Sequence, residues 1–408
     1  MSRFGHTRLS VALITVLVCA APTFAQVAIK ADTIYTMAGE PIRDGVVVIV
    51  DGEIRSVGPA ASTQIPQGMR VMNAKVATPG LIDARATVGL TGITNQEQDQ
   101  DQLDRSSPIQ PELRAIDAVN MLDPLVEYLR NYGITTAHVG HAPGELISGQ
   151  TMVIKLVGTT VDSAILKPQF AVSCTLAEEA QKGDDKSPGT RPKMVAMLRA
   201  ELIKAQEYLK RMEAEKPEDR PARDLRLETL GKVLRGEMPL MVYAHRVRDI
   251  SNALRLADEF KFKLWLDGAC ESYLIADRIK AAGVPVIVHP TMTRAWGDTQ
   301  NLTLECAAKL RDAGVPIALQ SGFEDYVPKT RVVLFEAAIG AAHGLGFEDA
   351  LRSITIDAAR LLGVDDRVGS LEVGKDGDVA LYDGDPFEYT THCVGVVIGG
   401  EVVSDTPH

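Results

Sequence analysis

At 408 residues the chain is about two to three times the usual single-domain length, though one α/β barrel can use most of it. Hydrophobic residues at 45% and charged ones at 24% are ordinary for a globular protein with a sizeable core. Lys and Arg number 43 against 54 Asp and Glu, a formal charge of −11, which argues against a nucleic-acid partner or an anionic membrane surface.

The first 25 residues read as a secretory signal. Arg3 and Arg8 form the positive start, Leu9 to Ala20 the apolar run, and Thr23, Phe24 and Ala25 a small-residue cleavage site. That run is too short to span a bilayer, and no later stretch reaches the roughly 18 apolar residues that would. Cys19 lies within the signal and follows Val18, not the small residue a lipoprotein site wants. The mature chain keeps 41 bases against 54 acids, near −13, and is expected to be exported, periplasmic or secreted. Cys174, Cys270, Cys306 and Cys393 remain; four cysteines without a C-x-x-C spacing make neither a disulfide scaffold nor a cysteine zinc site. They read as buried free thiols.

From Val27 the pattern is β. Val46 to Val50 is a strand core, and Asp51-Gly52 supplies a hairpin turn into Ile54 to Val57. The last forty residues look alike, with Val379 to Tyr382, Val394 to Ile398 and a Gly399-Gly400 turn into Val402 and Val403. Two β-rich ends around a long middle predict that the termini pair into one small sheet domain, from residues 27–76 and 364–408. The middle, 77–363, alternates strand and helix. Strands are expected at Ala77–Asp83, Ile134–His138, Leu240–Ala244, Lys263–Asp267, Val284–His289 and Pro316–Gln320. Helices are expected at Asp249–Phe260, Tyr273–Ala282, Leu302–Ala313 and Lys329–Gly344. Ala-Gly-Val-Pro at 282–285 and again at 313–316 ends a helix on glycine and starts a strand at once. Repeated β-α units mean a parallel sheet, and no G-x-G-x-x-G follows a strand. A closed barrel beside the terminal β domain is expected rather than an open doubly wound sheet.

Two segments break the rhythm. Asn95 to Asp104 is polar and acidic and reads as a mobile loop. Residues 193–236 read as a helical arm in which Met194, Leu198, Leu202, Ala205, Leu209 and Met212 make one buried stripe, with Pro217 and Pro221 splitting it into two helices.

The stretch Ala77 to Thr87 (ATPGLIDARAT) resembles the amidohydrolase superfamily, where a P-G-x-I-D-x-H-x-H strand puts two histidines on a metal. Pro111 to Asp117, Gly149-Gln150, Lys186 to Arg191 (KSPGTR) and Gly363 to Asp378 (GVDDRVGSLEVGKDGD) resemble its imidazolonepropionase-like branch of exported proteins. The resemblance covers essentially all of the chain after the signal. It implies a metal-dependent TIM-like (β/α)8 barrel carrying a small β-sandwich built from both chain ends, which hydrolyses carbon–nitrogen bonds with one or two divalent metals lowering the pKa of bound water to about 7 at the carboxyl ends of the strands.

The ligand positions implied by that resemblance are mostly gone. Arg85 and Thr87 stand where the first two histidines belong, and arginine has no lone pair to give. On the fifth strand H-A-H-R has become Tyr243-Ala244-His245-Arg246, so His245 is the one retained metal position. On the sixth, D-H-G has become Asp267-Gly268-Ala269, and on the eighth the aspartate falls on Gly322. No cofactor is expected; the alternative is one divalent zinc at a rebuilt site. The pocket is expected to gather Arg85, Thr87, His138, Tyr243, Asp267, Glu271, His289 and Ser321, with His141, Glu324 and Asp325 nearby. Arg85 is expected to replace the metal's charge, paired with Asp267 or Glu271. Asp83 reads as structural and Lys155 as a surface strand lysine. No nucleophilic triad is built, since Ser321 lacks a G-x-S-x-G context and the acids around Cys270 would raise a thiol's pKa. Two functions stay open: an exported carbon–nitrogen hydrolase with an altered site, or a non-catalytic barrel that binds a ligand or partners a subunit. The expected partners are a small molecule and a homo-oligomer or a hetero-oligomer with an active relative.

Overall fold

Seven strands from the two ends of the chain make one sheet. The computed structural model describes residues 26–94, 96–183, 185–323 and 332–408; the signal region, Glu324 and Asp325 lie outside the described residues. β1 (Val27–Ile34), β2 (Ile42–Val50), β3 (Glu53–Pro59) and β4 (Arg70–Pro79) come from the amino end. The sheet is completed late in the chain, after two further sheets built from its middle. Those middle strands are β5 (Leu81–Ala86), β6 (Ile134–Val139), β7 (Ile147–Gln150), β8 (Met152–Lys155), β9 (Ile165–Lys167) and β10 (Val172–Thr175). They continue with β11 (Leu240–Ala244), β12 (Leu264–Gly268), β13 (Val286–Val288) and β14 (Ile317–Leu319). β15 (Val379–Tyr382), β16 (Cys393–Ile398) and β17 (Glu401–Ser404) close the list.

The terminal sheet runs β17-β16-β15-β4-β1-β2-β3, with β1 and β4 parallel and its other neighbours antiparallel. Its hairpins turn where the sequence says they should. Asp51 and Gly52 sit at φ 55° and 85°, and Gly399 and Gly400 at 55° and 79°, the paired positive φ of a type I′ turn. Inward-facing Val27, Ile29, Val47, Ile49, Val379 and Leu381 form its apolar layer.

The expected strand Ala77–Asp83 is two strands. Ala77 and Pro79 end β4 and pair with Leu381 and Val379, whereas Leu81 starts β5 beside Ile134. Gly80 is the joint: a Cβ there would lie 2.2 Å from the Thr135 hydroxyl, so only glycine lets the chain pass from one sheet to the next.

One middle sheet runs β14-β13-β12-β11-β10-β7, parallel from β10 to β14. Another runs β5-β6-β8-β9, with β5 and β6 parallel. β10 to β14 are almost wholly buried, which matches their continuous apolar runs and a sheet covered on both faces. The two sheets meet twice. Thr151, between β7 and β8, exchanges backbone hydrogen bonds with Phe170 and Ala171 (2.8 Å each). On the other side Ala86 bridges Gly322 in parallel, and the Gly322 N–H donates to the Arg85 carbonyl (3.1 Å).

Helices follow the strands. Val247–Phe260 follows β11 and ends on Lys261 in the left-handed region, φ 59°. The expected helix over 273–282 is a 3-10 turn, Ser272–Ile275, followed by Ala276–Ala281. Cys306–Ala313 begins four residues later than expected, because Thr299 to Leu302 close their own turn. Of the expected helix Lys329–Gly344, residues 329–331 lie outside the described residues, Val333–Gly340 is helical and Ala341–Leu345 widens into a π turn. The arm is Arg191–Met212 packed on Leu225–Leu234, with Pro217 in a 3-10 turn between them. Met194, Leu198, Leu202 and Ala205 are buried as expected, joined by Tyr208, while Leu209 and Met212 are half-buried. In the loop 96–104 the Gly92 N–H donates to the Asp99 carbonyl and the Ala142 N–H to that of Gln102, a buried residue. No helix among the described residues is long and apolar enough to cross a membrane. Cys174, Cys270, Cys306 and Cys393 are free and buried.

Candidate functional site

A cavity of about 470 Å3 opens at the carboxyl ends of the parallel strands. β5 and the residue after it contribute Arg85 and Thr87, and β11 contributes Tyr243 with His245 just beyond. Each pair is two residues apart, so both members point to the same side of their strand. Asp267 comes from β12, His289 follows β13, and Gln320 follows β14. Six sequence-predicted residues therefore share one cavity: Arg85, Thr87, Tyr243, His245, Asp267 and His289.

Arg85 is buried with its charge answered. Its Nε lies 3.4 Å from Asp267 Oδ2, each side chain 4% exposed. Nη1 donates to the Ala86 carbonyl at 3.1 Å and Nη2 to the His141 carbonyl. Asp267 Oδ1 accepts from Gln320 Nε2 at 2.8 Å, and that amide also donates to the Ile287 carbonyl. Burial pulls the Arg85 pKa down, countered by Asp267 and Asp83; burial pushes Asp267 up, countered by Arg85 and Gln320. Asp83 Oδ1 accepts the N–H groups of Arg85 and Ser321, 3.1 Å each, and so ties β5 to the end of β14. Burial pushes the Asp83 carboxyl up to about 6.

The histidines divide by what they touch. His245 is 2% exposed, and neither ring nitrogen has a hydrogen-bond partner. Its ring meets Tyr243 edge-to-face at 4.4 Å, and burial, then the neighbouring His289, hold its pKa down at about 3. His289 Nδ1 lies 3.0 Å from the Pro290 carbonyl, and burial lowers its pKa too. His138 does not line the cavity. Both its nitrogens are engaged, by the Ala84 carbonyl and the Thr151 hydroxyl at 2.7 Å each, and its pKa falls to about 3 through burial. Burial likewise lowers His141, to about 4. All these rings are neutral near pH 7.

Ser321 and Glu271 also stand outside the cavity wall. Ser321 is spent on Asp83. Glu271 faces the start of helix Val247–Phe260, where it accepts from the Val247 N–H (2.6 Å), Arg246 Nη1 (3.1 Å) and Asn301 Nδ2 (2.7 Å). The partner of Arg85 is thus Asp267 and not Glu271. Lys155 is no surface lysine: it is 8% exposed, with Nζ 2.7 Å from Asp376 and 2.8 Å from Asp378.

Some contributors were not legible in the sequence. Gln320 orients Asp267. Asp298, buried, gathers Arg191, Arg246, Arg248 and the Glu178 N–H, and so fastens the loop that carries Trp296 and Thr299 at the cavity. Arg191 ends the KSPGTR motif, which signalled family but not this role. Glu179, exposed to solvent, also lines the cavity.

The donor set does not suit a family metal centre. Among the described residues no three His, Cys, Asp or Glu groups converge as metal ligands would. Asp267, a ligand type, is turned to Arg85 and Gln320. Gly268 has φ 78°, and a Cβ there would lie 2.7 Å from His245 Cε1, so a histidine cannot simply be added at that position.

The sequence profile of the Amidohydrolase family matches residues 272–404. Imidazolonepropionase of Rhizorhabdus wittichii is 25% identical over 389 residues, covering 85% of this chain and 91% of its own length. The solved structure of an amidohydrolase from Thermotoga maritima MSB8 superposes with a TM-score of 0.87 at 28% identity, over 93% of this chain and all of that one. The chain belongs to the amidohydrolase superfamily. Within the superfamily it is also similar to amidohydrolase tasK of Hapsidospora irregularis, 23% identical over 382 residues; it covers 85% of this chain, which spans 38% of that relative's length. The amidohydrolase profile covers His289, Gln320 and β15 to β17, whereas Arg85, Thr87, Tyr243 and His245 lie before it.

Proposed function

We propose that this chain is an exported (β/α)8 barrel of the amidohydrolase superfamily that binds a small molecule without a catalytic metal. Its β-sandwich domain would comprise 27–76 and 364–408, beside a barrel of 77–363. Membership in the superfamily by itself supports a hydrolase. The observation that favours binding alone is the buried Arg85–Asp267 pair. A guanidinium supplies a fixed positive charge where a divalent ion would, but it offers no open coordination position and cannot lower the pKa of a bound water as a metal does. His245 alone of the family positions retains a ligand side chain, and a catalytic zinc needs three. In this reading the cavity, polar at its base and about 470 Å3 in volume, falls in the ordinary range of small-molecule sites.

The second reading, hydrolysis of carbon–nitrogen bonds at a rebuilt site holding one divalent zinc, is favoured by one feature. His245 and His289 are neutral and line the same cavity as the Glu179 carboxyl, a group type that can take part in proton transfer. Metal analysis separates the two. Protein purified without chelator should carry well under one equivalent of zinc, iron or manganese; a full equivalent kept through dialysis would overturn the metal-free reading. Export is tested by amino-terminal sequencing of the mature chain, expected to begin at Gln26.

A further inference from the structure

We propose that His245 and Thr87 together recognise a neutral hydrogen-bonding group, such as an amide or hydroxyl, at the base of the cavity, and that this site rejects charged head groups. The inference rests on the metal-free reading of the cavity.

Two polar side chains there have nothing to bond. The Thr87 hydroxyl and both nitrogens of His245 lack a hydrogen-bond partner, and each residue is 2% exposed. A buried polar atom without a partner is costly, and native proteins rarely keep one without reason. These three atoms, with His289 Nε2 in the same cavity as a fourth, are accounted for if a ligand completes them. Among them they make a mixed set: a neutral imidazole has one donor and one acceptor, and a hydroxyl is both.

The buried charges among the cavity's lining residues are already answered, while Arg105 and Glu179 are exposed to solvent. Arg85 is held by Asp267 and by the Ala86 and His141 carbonyls, and Asp267 also by Gln320. An anion reaching this depth would lose its water and face Asp267; a cation would face Arg85. Neither finds an unpaired counter-charge at the base, and burying an uncompensated charge is far costlier than burying a neutral group. A group that both donates and accepts loses nothing. The geometry also fixes the ring: Tyr243 meets one edge of His245, and Gly268 leaves the space beside Cε1 that any side chain would take. His245 is therefore presented to the cavity in one orientation, as recognition requires.

The test uses three probes of one shape: acetamide, acetate and acetamidinium, which are neutral, anionic and cationic. The full mature chain is labelled with 15N-histidine, and the ring signals of His245, assigned by their loss in His245→Gln, are followed during each titration. Acetamide should shift them saturably, with millimolar affinity and at least tenfold more tightly than either ion. Thr87→Val should weaken acetamide severalfold and Thr87→Ser should restore it, with the other histidine signals unchanged as the check on folding. Acetate or acetamidinium binding as tightly as acetamide would overturn the inference yet leave a ligand-binding cavity. The same holds if acetamide moves nothing. Zinc that displaces the His245 signals and stays through dialysis would instead overturn the metal-free reading beneath it.

Discussion

Arg85 and Asp267 form a buried pair that neither partner can leave cheaply. The Arg85 guanidinium and the Asp267 carboxylate are each 4% exposed, so neither can fall back on water if the other is removed. Arg85→Met should therefore destabilise the protein by about 3–5 kcal/mol. Arg85→Met with Asp267→Leu should recover most of that loss, because no uncompensated charge remains. Urea unfolding of the wild type, both single variants and the double variant measures the coupling; additive effects would reject the pair as a unit. His138 makes a separate prediction about pH. Its folded pKa is about 3 against an ordinary 6.5, so below pH 6.5 the unfolded chain takes up a proton that the folded chain refuses. Stability from this residue is complete above pH 6.5 and falls as pH drops towards 3. Between pH 6.5 and 5 the loss is about 2 kcal/mol. Asp83 acts in the opposite sense, its raised pKa making the folded state favour the proton between 3.8 and about 6. Comparing wild type with His138→Gln across this range cancels Asp83 and isolates the histidine; parallel curves would contradict the prediction.

The strand ends decide which residues meet. β11 and β12 are paired so that Tyr243 lies opposite Asp267 and Ala244 opposite Gly268, which brings His245 over the Gly268 backbone. Glycine at 268 serves two needs at once, a left-handed φ of 78° and room for the imidazole 2.7 Å from where a Cβ would stand. Gly268→Ala should cost about 1–2 kcal/mol for the backbone alone, with more for displacing His245, measured by urea unfolding. Gly268→His should be destabilised further and still bind no zinc by metal analysis. Retained zinc in that variant would show that the site accommodates the family's ligand after all.

At the scale of the whole molecule, Lys155 joins sheets that share no strand. It ends β8 and reaches Asp376 and Asp378 just before β15, while Asp378 also accepts the Gly399 N–H at 2.7 Å in the turn before β17. One ammonium thus fastens the terminal sheet to the parallel-strand body. Lys155→Met leaves the buried Asp378 carboxylate without a counter-charge, while Asp376 keeps Arg367 at 2.7 Å, and should cost about 3 kcal/mol. Thermal melting should show a transition lowered by several degrees; an unchanged midpoint would mean the junction is held by apolar contact alone.

Much of the fold was legible because it depends on local rules. Turn chemistry at Asp51-Gly52 and Gly399-Gly400, buried apolar runs such as Leu240–Ala244, and glycine after Ala313 each act over a few residues and were readable as such. The side chains at Arg85, Thr87, Gly268 and Gly322 were equally readable, since side-chain chemistry travels with the residue. What the sequence left open are relations between distant segments. Arg85 chose Asp267 over Glu271 because Glu271 is taken up by the first turn of helix Val247–Phe260. His138 turned away because Ala84 and Thr151 satisfy both its nitrogens, and Lys155 is buried because the chain returns 221 residues later with Asp376. Local sequence sets what each segment can form; only the packing of segments far apart in the chain decides which polar groups satisfy one another and which, like His245 and Thr87, are left facing the cavity.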